Sequence, residues 1–364
     1  MRVKSLQMEG FRNLKTQNVD FERGLNVICG ENAQGKTNTL EAIYLCAIGK
    51  SPKSDKDKEM INIDASQAKV SLIYESKFGE GKIDIALFKS GKKSIVVNSV
   101  PILRIGELMG YFNAVWFSPD ELKLVKLAPN ERRRFMDIDI CQTDKSYYYS
   151  LSRYNKILTQ RNNLLKEQHS QSEFNDMLSI WDAQLIKEGA KLVFKRKSFI
   201  DKLAPIAKHT HYALSGNKEN LETEYITQVL GVSYADITDS FNKLLLSSRE
   251  KDISLRYTSS GAQRDDVKLS LSDKDVRVYG SQGQQRTSTL SLKLAETELI
   301  YSVTGDRPVL LLDDVLSELD KGRQQRLMNF NKEMQIILTT TDINSKDING
   351  KFIAVKEGLY EQKY

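Results

Sequence analysis

The run Gly30-Glu31-Asn32-Ala33-Gln34-Gly35-Lys36-Thr37 is a complete G-x-x-x-x-G-K-[ST] loop, and it constrains the fold of this chain more than any other feature. The apolar run Leu25 to Cys29, which reads as a strand, precedes it, and a helix is predicted to begin just after Lys36. A phosphate-binding loop requires that context. Its glycines let the backbone wrap until N–H groups and the helix N-terminus face the phosphates. Lys36 then reaches the β- and γ-phosphate oxygens, and Thr37 can ligate Mg²⁺. A chance glycine-rich turn is the competing reading, and the flanking strand and helix disfavour it. Alone, the loop does not separate kinases, GTPases and ATPases.

A second motif narrows the choice. Pro308-Val309-Leu310-Leu311-Leu312-Asp313-Asp314 is an apolar run ending in two carboxylates, as a buried parallel strand would. In this Walker B form Asp313 holds Mg²⁺ and Asp314 orients or deprotonates the attacking water. Paired aspartates also cap helices, and that reading would prevail without the phosphate loop. About 275 residues separate the two motifs, more than a compact nucleotide kinase needs in one α/β domain, so something large is inserted between them.

The insertion is helical. No proline occurs between Pro129 and Pro205, and apolar residues recur at helical spacing through Tyr147, Leu151, Tyr154, Leu158 and Leu165, then Phe174, Trp181, Leu185 and Leu192. Two such stripes joined by the polar run Gln168 to Ser172 predict an antiparallel helical hairpin, a short coiled-coil arm. Before it, Val3 to Met8 reads as a strand, and Lys69 to Lys77, Lys82 to Lys89 and Ser94 to Asn98 read as an antiparallel meander. After it come a predicted hairpin of Val267 to Leu271 with Val276 to Tyr279, a helix from about Gln284 to Thr304, and buried strands at Val309 to Leu312 and Gln335 to Leu338.

Ser281-Gln282-Gly283-Gln284-Gln285-Arg286, at the start of that helix, resembles the signature motif of ABC ATPases. In that superfamily the serine and the helix N-terminus contact the γ-phosphate held by the opposite subunit, which implies an ATP-dependent homodimer. A polar helix cap is the bland alternative. Ser317-Glu318-Leu319-Asp320 stands where such heads place the D-loop, which crosses the dimer interface, so Ser317 and Asp320 join Ser281, Gln282, Gly283 and Gln284 as trans-acting candidates. Where many ABC heads carry a switch histidine this chain has Thr339-Thr340-Thr341-Asp342; the Thr340 hydroxyl can hydrogen-bond a γ-phosphate but cannot take up a proton as imidazole does. The expected fold is α/β, an ABC-type P-loop ATPase head with an antiparallel β meander and an inserted α-helical arm. The head is assigned to residues 1–128 and 253–364 and the helical lobe to 129–252.

Several stretches together resemble the RecF family: Gly10-Phe11-Arg12-Asn13-Leu14, the continuation Asn38-Thr39-Leu40-Glu41-Ala42-Ile43, Phe117-Ser118-Pro119-Asp120-Glu121-Leu122, Arg132-Arg133-Arg134-Phe135-Met136-Asp137, Trp181-Asp182-Ala183-Gln184-Leu185 and Gly283-Gln284-Gln285-Arg286-Thr287. The likeness covers nearly the whole chain and is weakest from about Ile206 to Asp252 and over the last twenty or so residues. Two places depart from the family pattern: Gly261-Ala262-Gln263-Arg264-Asp265-Asp266 for Gly-Pro-His-Arg-Asp-Asp, and Lys50-Ser51-Pro52-Lys53 for a basic Arg-Ser-His-Arg stretch. The resemblance implies that Arg12, Asn13 and Asn38 belong with the ATP site. It also implies a weak ATPase that serves a DNA-binding switch, binding next to single-stranded gaps at ssDNA–dsDNA junctions and cooperating with RecO and RecR to load RecA.

Composition permits this without demanding it. With 54 basic and 48 acidic residues the formal charge is +6, a small excess that suits a phosphate-bearing partner. Lys53, Lys56, Arg132, Arg133 and Arg134 are candidates for salt-sensitive contact with duplex phosphates, against the plainer reading of solvated surface charge. Cys29, Cys46 and Cys141 form neither a disulfide framework nor a C-x-x-C pair, so a reducing cytoplasm is expected. No secretory leader and no bilayer-length apolar stretch is visible, and no membrane partner is expected. His169, His209 and His211 lack metal-site spacing and are expected at the surface. Two rivals stay open at this point: a P-loop phosphotransferase whose small substrate binds the helical lobe, and an SMC-like or other P-loop ATPase head with a different DNA partner.

Overall fold

The computed structural model describes residues 1–167, 171–330, 333–341, 350–356 and 359–363. Along the chain run β1 (Arg2–Phe11), β2 (Leu14–Asp20), β3 (Leu25–Cys29), α1 (Lys36–Ile48), β4 (Gln67–Ser76), β5 (Gly79–Phe88), β6 (Lys93–Val97), β7 (Val100–Ile102) and β8 (Ala114–Phe117). There follow α2 (Pro129–Thr143), α3 (Lys145–Leu164), α4 (Gln171–Leu214), β9 (Leu221–Ile226), α5 (Tyr234–Leu255), β10 (Asp266–Leu271) and β11 (Lys274–Asp275). Last come α6 (Gln282–Thr304), β12 (Val309–Asp313), α7 (Lys321–Met328), β13 (Ile336–Thr340), β14 (Lys351–Lys356) and β15 (Leu359–Lys363).

Two compact units result. The first takes Met1–Leu122, Thr210–Lys218 and Arg286–Tyr364, and the second Lys123–His209 and Glu219–Gln285. This division differs from the sequence-based boundaries: residues 123–128 and 253–285 group with the second unit, and 210–218, inside the expected helical lobe, group with the first.

The first unit contains two six-stranded sheets. One has the order β2-β1-β4-β5-β6-β7 with antiparallel pairing throughout, and its strands bury alternate residues, as Ala68, Val70, Leu72 and Tyr74 on β4 do. The other has the order β15-β14-β3-β13-β12-β8, parallel from β14 to β8, with β15 added antiparallel at its edge. Every residue of β8, β12 and β13 is buried, which is why these strands read as unbroken apolar runs rather than alternating ones. Helix α1 packs on β8, β12 and β13 of the parallel sheet and on β1, β4 and β5 of the antiparallel one. Covered from both sides, it buries all its residues except Thr37 and Asn38 and so has no polar face.

The second unit consists of α2, α3, most of α4, α5 and a three-stranded sheet of order β11-β10-β9. The helical stripes fall on α3 and α4; residues 168–170 of the proposed turn, and His169 with them, lie outside the described residues. The predicted second strand of the hairpin, Val276 to Tyr279, is instead a helical turn, because the Asp275 carboxylate accepts the Arg277 N–H at 2.8 Å and starts it. Ser272 and Asp273 at φ 48° and 64° close a two-residue hairpin onto β11 earlier than expected. The main partner of β10 is β9, whose mostly polar sequence LETEYI gave no strand signal of its own. His211 corrects another expectation: it is fully buried, with Nδ1 3.1 Å from the Ser291 hydroxyl, while His209 is exposed. Among the described residues no helix is long and apolar enough to cross a membrane.

Charges, not only apolar contacts, organise this second unit. Arg161 on α3 is fully buried and donates from Nε to Asp182 at 2.7 Å and from Nη1 to Asp252 and the Thr258 hydroxyl, each at 2.8 Å. Arg196 grips Asp137 through Nε and Nη2, both at 3.0 Å, and Asp265 at 2.9 Å. Burial pushes the Asp265 carboxyl up, and Arg196 and the Tyr225 hydroxyl pull it back down. Removing one partner of such a set strands the others without water. Arg161→Ala is therefore expected to lower the unfolding free energy by about 3–5 kcal/mol, measured by urea denaturation, because Asp182 and Asp252 lose a buried counter-charge.

Candidate nucleotide site

Parallel pairing of β13 with both β3 and β12 sets the loop after β3 beside the carboxylates at the end of β12. Residues 32–38, Lys53, Ser118 to Asp120, Asp313, Asp314 and Thr339 line a cavity of about 380 Å³ between them. Gly35 starts α1 at φ 98°, a conformation that favours glycine, and a Cβ there would stand 2.7 Å from Leu14. Gly30 is needed for a different reason: β14 passes so close that a Cβ would come within 2.4 Å of the Val355 carbonyl oxygen.

Lys36 Nζ donates to the carbonyls of Gly30 and Glu31, the latter at 2.8 Å. Burial lowers its pKa, and the nearby Asp314 and Asp313 oppose that shift. Asp313 Oδ1 accepts from the Thr37 hydroxyl at 2.6 Å and from Thr339 at 2.9 Å, while Oδ2 faces Lys53 Nζ at 3.1 Å. Asp314 adopts φ 52°, its N–H donates to Thr339 Oγ1 at 3.0 Å, and its buried Oδ1 has no hydrogen-bond partner. The Thr37 hydroxyl and the carboxylates of Asp313 and Asp314, all from residues lining one cavity, are the hard oxygen donors a Mg²⁺ ion takes.

Other sequence candidates stand behind the cavity wall. Asn13 braces the loop, donating to the Ala33 carbonyl at 3.0 Å and accepting from Asn38 at 2.7 Å; of the two, only Asn38 lines the cavity. Arg12 also lies outside it, clamping the fully buried Glu41 of α1 at 2.6 and 2.9 Å. The threonine on the wall is Thr339, not Thr340: Thr339 pairs in register with Asp313, and strand alternation turns the next side chain away. Asp342 lies outside the described residues.

At the signature segment, Ser281 Oγ accepts from the Gln284 N–H at 3.2 Å and the Gln284 side chain accepts from the Ser281 N–H at 2.8 Å, a capping box on an exposed helix start. Gln282 is exposed and Gly283 half-buried beside it. Ser317 donates to the Asp314 carbonyl at 2.8 Å, and Asp320 caps α7 by accepting the Arg323 N–H at 2.9 Å. Arg286 ties α6 to this segment through Glu318 at 3.2 Å.

The proposed DNA-contacting set is corrected at two members. Arg132 is buried and commits four N–H donors to Asp266 and the carbonyls of Leu124 and Leu127, so it holds the second unit together. Lys53 points into the nucleotide cavity. Arg133 is half-buried on the Asp265 carbonyl at 2.7 Å, and Lys56 and Arg134 are exposed. Where the family histidine is replaced, Gln263 bonds the Tyr154 hydroxyl and donates to the Ser260 carbonyl at 2.9 Å, an internal role. Sequence reasoning missed Tyr360: its hydroxyl, on β15, donates to the Gly35 carbonyl at 3.1 Å and meets the Thr39 hydroxyl. Burial pushes its pKa up to about 12 despite the Thr39 contact. No local motif marks a contact spanning 325 positions.

A phosphate loop and a carboxylate pair on a parallel sheet, flanked by an antiparallel sheet and interrupted by a helical unit, define an ABC-type ATPase head of the SMC-like kind. Residues 2–357 match the RecF/RecN/SMC N terminal domain family. The chain is 42% identical to the DNA replication and repair protein RecF of Clostridium kluyveri over 94% of both chains, and 41% identical to that of Lachnoclostridium phytofermentans over the full length of both. A solved structure of the recombination mediator protein RecF with ATP superposes with a TM-score of 0.92 at 34% identity, covering 100% of this chain and 97% of that one. The Smc head domain of Pyrococcus furiosus, at 16% identity and a TM-score of 0.57, shares the fold. The chain belongs to the RecF family.

Tyr360→Phe is expected to weaken ATP-analogue binding about fivefold, the worth of one hydrogen bond near 1 kcal/mol, with the fold intact by circular dichroism. A fluorescent-nucleotide titration reads it.

Proposed function

We propose that this chain is an ATP-switched DNA-binding protein of recombinational gap repair. Lys36 and the loop N–H groups hold the triphosphate, Thr37 and Asp313 hold Mg²⁺, and Asp314 orients the attacking water. Mg²⁺ held by Thr37 and Asp313 would supply charge neutralisation of the triphosphate. Ser281 and the α6 N-terminus of a second copy close over the γ-phosphate, with Ser317 and Asp320 at the same interface, and the closed dimer clamps DNA at an ssDNA–dsDNA junction. Hydrolysis is slow and releases it, because the binding energy of ATP is spent on switching assemblies. With RecO and RecR the clamp promotes RecA loading in the cytoplasm.

The observation that carries this reading is the joint cavity of the loop, Asp313 and Asp314, in a family with a solved ATP complex spanning the whole chain. The exposed position of Ser281 favours a dimer over a head that encloses its nucleotide alone, since a helix start at the surface turns the positive end of its dipole toward an anion brought by another copy.

Light scattering with and without a non-hydrolysable ATP analogue tests the assembly. The wild type is expected to dimerise only with nucleotide, Lys36→Ala to lose both nucleotide binding and dimerisation, and Ser281→Arg to keep nucleotide binding while staying monomeric. A wild-type monomer unchanged by nucleotide would overturn the dimer. Binding to gapped, duplex and single-stranded DNA, read by anisotropy across salt concentrations, should be tightest on gapped DNA with the analogue. Arg134→Ala should reduce the salt slope by about 1, while Arg132→Ala acts through stability.

A further inference from the structure

We propose that Lys53 is a built-in counter-cation of the nucleotide site, competing with the divalent cation for Asp313 and transferring its charge to the triphosphate when it loses that competition. The inference deepens the ATP-site reading above and rests on it. Asp313 has two oxygens with separate tasks: Oδ1 accepts from the hydroxyls of Thr37 and Thr339, and Oδ2 faces the Lys53 ammonium at 3.1 Å. Thr37 and Asp313 are also the residues assigned to the metal. A divalent ion drawn to this carboxylate therefore meets a positive charge already seated there, and the two cations repel across a few ångströms of partly buried space.

The approach of Lys53 is built from behind. Ser51 is buried, its hydroxyl donates to the Glu41 carboxylate, and its oxygen accepts the backbone N–H groups of Lys53 at 2.9 Å and Ser54 at 3.0 Å. Glu41 is in turn fixed by Arg12 at 2.6 Å. This relay holds the backbone of Lys53 rigid at the mouth of the cavity. The side chain beyond it is still 35% exposed, its ammonium seated between Asp313 and the Trp116 ring, whose centre is 5.8 Å away. Lys36 is not the cation seated on Asp313, since its ammonium donates to the Gly30 and Glu31 carbonyls. A lysine suits this task because its ammonium is a compact point charge on a flexible stem that can leave one oxygen for another.

Lys53→Ala should change two affinities in opposite directions. Without nucleotide, Mn²⁺ standing in for Mg²⁺ should bind about tenfold more tightly, since one unit charge no longer opposes it. A fluorescent ATP analogue in EDTA should bind about tenfold more weakly, since one cation facing the phosphates is gone. Mn²⁺ is read by the electron paramagnetic resonance signal of the free ion, with Asp313→Asn identifying the fraction bound at this site. Lys53→Arg, which keeps the charge, should restore metal-free nucleotide binding. A general loosening of the site would weaken both ligands together. Unchanged or weaker Mn²⁺ binding in Lys53→Ala, with normal Mg-nucleotide binding by the wild type, would overturn the role of Lys53 and leave the ATP site standing. Failure of the wild type to bind Mg-nucleotide would overturn the ATP-site reading and this inference with it.

Discussion

The Asp313 carboxylate is the point on which the first unit converges. It ends a strand buried along its whole length, and its hydrogen-bond partners come from α1 and β13, with the loop after α1 supplying an ion pair. A carboxylate at such a depth needs these donors, because leaving any buried lone pair without a partner carries a desolvation penalty. Asp314, one residue on, has the opposite character: a strained backbone and a carboxylate oxygen left without a partner. Local strain and an unsatisfied buried oxygen are costs that a fold retains where chemistry uses them. The two neighbouring aspartates thus divide into one that organises the cavity and one that is available to a reacting group.

The second unit solves a different problem. Its helices carry Arg132, Arg161 and Arg196 inward, where each meets one or two carboxylates brought from distant parts of the chain. Such pairs add little net stability compared with apolar packing, yet they tolerate few alternatives, since a mispaired arrangement leaves a charge buried alone. The Asp265-Asp266 pair beside the altered family stretch belongs to this internal scaffold, receiving Arg196 and Arg132. Positive charge in this chain is thus divided among scaffold, nucleotide cavity and solvent, and a count of basic residues cannot tell which is which.

Much was legible beforehand because it was local. A loop of eight residues between a strand and a helix, an apolar run closed by two aspartates, and alternation in the meander each follow from backbone geometry over a few neighbouring residues. The less legible parts share one property: their cause lies far away in sequence. β9 is a strand because β10 pairs with it, although its own residues are mostly polar. His211 is buried because Ser291 and the surrounding core receive it, although its neighbours in sequence look like helix surface.

By itself the sequence determined the class of the head, its family and the identity of the loop and carboxylates that face one another, since those depend on short-range spacing and on apolar runs that can only be buried strands. Only the tertiary structure decided which threonine borders the cavity, that Arg12 grips Glu41, that Lys53 turns inward and Arg132 is spent on Asp266, and that Tyr360 props the phosphate loop. The physical reason is that a charged or hydroxyl-bearing side chain is assigned its role by the partner it meets, and the partners here are from 26 to 325 positions away.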